Sequence, residues 1–93
     1  MQTDKRCFLC GRNGACDPLD LHHIFGGPYR KKSDRYGLTV YLCHNACHIF
    51  GPNAVHNNRA QDVRLKRLGQ KTWMERKGRT GEEFIKEFGR NYL

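Results

Sequence analysis

Gly37-Leu38-Thr39-Val40-Tyr41-Leu42-Cys43-His44-Asn45-Ala46-Cys47-His48 is the stretch on which the fold of this chain turns. Leu38, Val40 and Leu42 alternate with Thr39 and Tyr41, the period-two pattern of a strand with one buried face, over residues 37–42. The strand runs straight into a pair of thiols, Cys43 and Cys47, with three residues between them. From about His44 the pattern turns helical, interrupted by Gly51-Pro52.

A second thiol pair lies upstream. Cys7-Phe8-Leu9-Cys10 is a CxxC followed by Gly11, the shape of a zinc knuckle in which a tight turn lets two thiolates face one metal. The intervening residues 11–42 are enough for a hairpin that brings the pairs together. Cys7, Cys10, Cys43 and Cys47 then form a four-cysteine set suited to tetrahedral Zn²⁺, a closed and therefore structural site. A disulfide framework fits poorly, because the chain has five cysteines and Met1–Arg6 carries no export signal. A thioredoxin-like redox pair would need a βαβ setting that the pattern lacks. Cys16 is the spare thiol, or a replacement for Cys43 or Cys47 if the second knuckle is assigned differently.

The composition explains why such a staple is needed. The chain has 93 residues, 38% hydrophobic and 28% charged, and a domain of this size buries only about 60–65% of its unfolded surface. Seventeen Lys and Arg against nine Asp and Glu give a net charge of +8, which favours a polyanionic partner, nucleic acid before an anionic membrane. No apolar run approaches the roughly 18 residues that span a bilayer, so a membrane protein and a secreted disulfide mini-protein are both disfavoured. A cytoplasmic location is expected.

Outward from the decisive stretch, Leu19–Phe25 (LDLHHIF) reads as a first strand, bounded by Pro18 and by Gly26-Gly27-Pro28. Residues 26–36 read as a basic loop. A long helix is predicted from Asn57 or Asn58 as N-cap to about Lys77, with Gly69 a point where it could bend. Thr80-Gly81-Glu82-Glu83 is a capping box for a last helix, with Phe84, Ile85 and Phe88 on its apolar face and Gly89 at its end. Trp73, Phe84, Ile85 and Phe88 are assigned to the core. The prediction is one α+β domain over 1–93: a core over 7–58 and a helical extension over 59–93.

Four of the five histidines, His22, His23, His48 and His56, flank the knuckles, while His44 reads as a solvated turn residue. Adjacent strand residues face opposite sides, so His22 and His23 can share a site only at a bulge or a strand end. Arg30, Lys31, Lys32 and Arg35 in the basic loop, with Arg59, Arg64 and Arg67 on the long helix, are the candidate phosphate-backbone contacts.

Leu21-His22-His23-Ile24, Gly26-Gly27, Gly37–Cys43, Cys47-His48 and Val55-His56, in this order, resemble the HNH (ββα-metal, His-Me finger) endonucleases. The resemblance is to small phage and bacterial members with a cysteine knuckle on each side. It covers roughly residues 7–58, and the closing Gly89-Arg90-Asn91-Tyr92-Leu93 is similar to the tail of phage-type members. It implies a ββα-metal domain that hydrolyses DNA, with His23 as general base and His22, His48 and His56 as ligands of a catalytic Mg²⁺, Mn²⁺, Ni²⁺ or Zn²⁺. It further implies DNA as substrate, a terminase or other phage packaging or recombination protein as partner, a monomer or dimer, and a bacterial or phage-infected host. The chain departs from the family in two places. Gly37 stands where members often have an Asn that steadies the base, with Asn45 and Asn53 as spatial substitutes, and the second knuckle is one residue longer than usual. The competing expectation is a zinc-ribbon DNA-binding module that acts through a partner, which would have no use for His22, His23, His48 and His56.

Overall fold

The computed structural model describes residues 4–93, so Met1–Thr3 of the polar N-terminal segment lie outside the described residues. Strands β1 (Leu19–His23) and β2 (Thr39–Cys43) pair antiparallel in a two-stranded sheet. Leu19 lies opposite Cys43, Leu21 opposite Tyr41 and His23 opposite Thr39. With helices packed beside this sheet, the α+β class is as expected.

β1 stops at His23, two residues short of the expected end. Ile24 still donates its N–H to Leu38 O at 3.1 Å, but Phe25 leaves the ladder because a side chain takes both of its backbone groups. Ser33 Oγ accepts from Phe25 N at 3.0 Å and donates to Phe25 O at 2.8 Å. Ser33 is fully buried, and a buried peptide satisfied this way needs no strand partner.

The expected basic loop over 26–36 is instead a 3-10 turn (Gly27–Tyr29) running into a short helix, α1 (Arg30–Arg35). Pro28 presets the helical φ at the start of the turn. No further Gly or Pro interrupts the chain until Gly37, where φ of +66° turns it into β2. Charge and flanking glycines made this segment resemble a loop; Pro28 was the helical signal.

Helix α2 (Arg59–Lys77) is capped by Asn58, whose Oδ1 accepts from Ala60 N and Gln61 N at 3.0 and 3.3 Å. It runs through Gly69 without a break. A Cβ at Gly69 would lie 3.0 Å from the Phe25 ring and 3.1 Å from Ile24 Cγ2, so glycine here gives up helix propensity to let α2 approach the end of β1. Helix α3 (Gly81–Phe88) opens on the expected capping box between Thr80 and Glu83 and closes at Gly89.

The core lies where α2 and α3 cover the sheet: Phe25, Leu38, Val40, Leu42, Leu65, Trp73, Phe84 and Phe88 are all buried. Phe25 meets Phe84 and Phe88 at ring separations of 5.5 and 4.7 Å. Ile85 was expected in this core but is 41% exposed, because it follows Phe84 on an eight-residue helix that buries only Phe84 and Phe88. The C-terminal segment is tied down by buried Gln70, which donates to Asn91 Oδ1 and accepts from Tyr92 N, both at 2.8 Å. Among the described residues no helix is long and apolar enough to cross a membrane.

Candidate metal centres

The first knuckle docks on the edge of β2 through Phe8 N–H to Tyr41 O at 2.8 Å, and Gly11 closes its turn with φ of +79°. This brings Cys7 and Cys10 onto Cys43 and Cys47, and the four sulfurs lie within 4.8 Å of one another. Cys10 Sγ and Cys43 Sγ are 3.4 Å apart, close to the ~3.8 Å between thiolates sharing one Zn²⁺. All four cysteines are free thiols. Burial opposes ionisation of Cys7, yet N–H donors from Cys43, Cys10 and Leu9 and the Cys10 thiol outweigh it and bring Cys7 down to about 6. Burial and neighbouring thiols push Cys43 up to about 12, and Cys47 upward likewise. The Cys7 thiolate is favoured while Cys43 and Cys47 resist ionising beside it, a conflict that a divalent cation removes. The four cysteines could therefore hold a structural ion such as zinc. Cys16 is exposed and outside this cluster.

The three-residue spacer of the second knuckle takes the form of a π-helical turn, His44–Ile49, with Phe50 N–H bonded to Asn45 O five residues back at 3.0 Å. Asp17, buried and unremarked in the sequence, caps this turn: Oδ1 accepts from Asn45 N and Nδ2 at 3.0 and 3.1 Å, and Oδ2 from Ala46 N at 2.9 Å. These N–H donors hold the Asp17 carboxyl below its usual range. The chain then folds back at Gly51 and bonds to the turn, Val55 N to Cys47 O at 2.9 Å and His56 N to His48 O at 3.1 Å. A Cβ at Gly51 would fall 2.1 Å from Ala46 O. Gly51→Ala is accordingly expected to cost about 1–3 kcal/mol through forced backbone movement. A thermal melt checks this, and a wild-type midpoint would contradict it.

That return places His56 Nε2 3.1 Å from His48 Nε2. His22, on β1, completes the group, its ring 5.2 Å from His48 and 5.7 Å from His56. One nitrogen from each of the three lies within 4.8 Å of the others, and around a tetrahedral ion imidazole nitrogens stand about 3.3 Å apart. His22 is 6% exposed, and its Nε2 is buried without a hydrogen-bond partner. Burial, reinforced by His48 and His56, lowers its pKa to about 4, which keeps the ring neutral at physiological pH and its lone pair available. A buried nitrogen without a partner, on a ring packed beside two further imidazoles, fits a bound cation.

His22 and His23 line the same open cavities although they are neighbours on a strand, because β1 ends at His23. His23 Nε2 bonds to Asp34 Oδ1 at 2.7 Å, so α1 holds both Phe25, through Ser33, and His23, through Asp34. Asp34 was not singled out in the sequence; only its place beside a buried serine on a short helix could have pointed to it. Asn45 and Asn53, the expected substitutes for an Asn at Gly37, are engaged by Asp17 and by Asn58. His44, expected to be solvated, donates to Asp20 Oδ2 at 2.6 Å, and His48 donates to the same oxygen at 2.8 Å. Burial works against ionisation of Asp20, but these two hydrogen bonds lower its pKa.

The cationic candidates separate into groups. Arg30 and Arg59 line the cavities beside His22, His23 and His56. Lys31 and Arg35 are exposed on α1. Lys32 folds back onto α3, with its ammonium on Glu87 O and 3.3 Å from Glu87 Oε2. Arg67 donates to Tyr92 O at 3.0 Å, and Arg64 shares with it a separate groove lined by Phe8, Leu68 and Leu93. In comparisons with known proteins, no family model, no curated protein and no solved structure matches this chain.

Proposed function

We propose that the chain is a metal-dependent endonuclease of the HNH type, hydrolysing DNA phosphodiester bonds. The observation that carries this reading is the buried, unpartnered His22 Nε2 beside His48 and His56, with a fourth, carboxylate-held histidine at the rim of the same cavity. The pairing of β1 with β2 and the helical turn bearing His48 directly after β2 support the same reading.

His22, His48 and His56 would hold a divalent ion, which supplies a Lewis acid for the scissile phosphate and the departing 3′-oxygen. His23 supplies the base. A carboxylate only accepts hydrogen bonds, so Asp34 fixes the proton of His23 on Nε2 and leaves the lone pair on Nδ1. Nδ1 takes a proton from water as the water oxygen attacks phosphorus. The P–O3′ bond breaks, and the 3′-oxygen is protonated from solvent, leaving a 5′-phosphate and a 3′-hydroxyl. Arg30 and Arg59 flank the site and bind the backbone phosphates on either side, and the net charge of +8 draws DNA in.

Supercoiled plasmid incubated with the chain and Mg²⁺, Mn²⁺, Ni²⁺ or Zn²⁺ tests this. Nicked circles are expected with at least one ion and none with chelator. Absence of cleavage with every ion overturns the proposal, and plasmid retention without cleavage would favour the DNA-binding module instead.

A further inference from the structure

The carboxylate of Asp20 sits behind the histidine cluster. β1 alternates its side chains, so Asp20 and His22 project from the same face. Asp20 reaches the π-helical turn, where Oδ2 accepts from His48 Nδ1 at 2.8 Å and from His44 Nδ1 at 2.6 Å. His44 and His48 are four residues apart on one turn, which lets a single oxygen serve both. Both are short hydrogen bonds to a charged acceptor, and a carboxylate oxygen can only accept, so both rings carry their proton on Nδ1. For His48 the consequence is directional: its lone pair is on Nε2, the atom that faces His56 Nε2 at 3.1 Å.

We propose that Asp20 is a positioning residue that fixes the tautomer and ring orientation of His48, so that Nε2 is presented to a metal ion shared with His22 and His56, with His44 as a second donor that holds the carboxylate in place. The inference rests on the histidine site proposed above. Carboxylate–imidazole pairs of this kind raise the basicity of a ligand and strengthen metal binding about 10- to 100-fold. Asp20, His44 and His48 also lie close enough to hold an ion themselves. The geometry favours the other side of the His48 ring, since Nδ1 is already bonded to Asp20 while the unpartnered nitrogen of the cluster belongs to His22.

Zinc titration of the full chain against a fluorescent chelator tests the assignment, with wild type, Asp20→Ala, His44→Ala and His56→Ala compared. Wild type is expected to hold two ions, and Asp20→Ala to hold the second about 10- to 100-fold more weakly while the cysteine-bound ion is unchanged. His56→Ala should lose the second ion and His44→Ala should keep it within a few-fold. Imidazole nitrogen NMR supplies a readout that stability does not move: His48 should show an Nδ1-protonated ring in wild type and a mixture of tautomers in Asp20→Ala, where no acceptor remains. Equal affinity and an unchanged His48 tautomer in Asp20→Ala would overturn the inference alone. Loss of the second ion in His44→Ala, with its retention in His56→Ala, would make Asp20 a ligand and overturn it too. A wild-type chain that binds only at its cysteines would overturn the nuclease proposal and the inference together.

Discussion

The Cys7→Ser chain is expected to be unfolded at room temperature and to hold no zinc. Cys7 is 2% exposed, and the N–H groups around its sulfur bring its thiol down to about 6. Its backbone also closes the knuckle, accepting from Gly11 N and donating to Arg12 O, both at 2.8 Å. Serine keeps that backbone but supplies a poor zinc ligand, and structural zinc in a small domain contributes on the order of 10 kcal/mol to folding. A two-stranded sheet with three helices has little to offset such a loss, since isolated pairs of strands are marginal in water. The damage extends to the histidines, because Cys43 caps the turn that carries His48 and Cys47 lies within it. Far-UV circular dichroism and elemental analysis check the outcome. A Cys7→Ser chain that melts like wild type would show that the cysteine cluster does not hold the fold.

His23→Ala has the opposite profile: the fold, both metal sites and DNA binding should survive, while turnover collapses. His23 is the last residue of β1, its side chain is 12% exposed, and its ring has Asp34 as its hydrogen-bond partner. Asp34 is 58% exposed on its side chain, so water solvates the carboxylate once the imidazole is gone, and the cost is confined to the packing of one ring at a strand end. A general base contributes about 100- to 10,000-fold to rate, and kcat should fall within that range while the Kd for DNA stays within a few-fold. Asp34→Asn should fall between the two, since a carboxamide oxygen can still accept from Nε2 but no longer stabilises the imidazolium. Equal kcat for His23→Ala and wild type would assign His23 a structural role.

Much of this arrangement was legible in the sequence, for reasons specific to each element. The alternation through Leu38, Val40 and Leu42 marked β2, Asn58 and the Thr80–Glu83 box marked the starts of α2 and α3, and the spacing of the thiols foretold the cysteine cluster. Each is a local signal that tertiary contacts do not override. α1 was missed because a six-residue helix has too few apolar positions to show a period, and its one buried residue, Ser33, is polar. The end of β1 was misplaced for the same reason, since Ser33 replaces a strand partner from eight residues away. Ile85 was misassigned because a short helix has room for only two buried residues.

In the site, histidine spacing could show candidates but not partners. Asp17, Asp20 and Asp34 are separated from the groups they bind by 11 to 29 residues, a distance at which pattern carries no information. The extra residue between Cys43 and Cys47 stands out as a departure, and its physical meaning is a π-helical turn that rotates His48 toward His56. Basic residues were the least readable. Lys32 and Arg67 bind the C-terminal third of the chain, whereas Arg30 and Arg59 border the histidine cavities, and nothing in their sequence context separates one pair from the other.

Nicking of supercoiled plasmid by wild type and His23→Ala side by side, each first shown to carry the same metal content, decides whether His23 is the base of a nuclease. Wild type should convert the plasmid to nicked circles with 5′-phosphate ends in a chelator-sensitive reaction, while His23→Ala binds the plasmid and leaves it supercoiled. Equal nicking by the two chains, or no nicking by either, would contradict the assignment of a histidine base beside a three-histidine metal site.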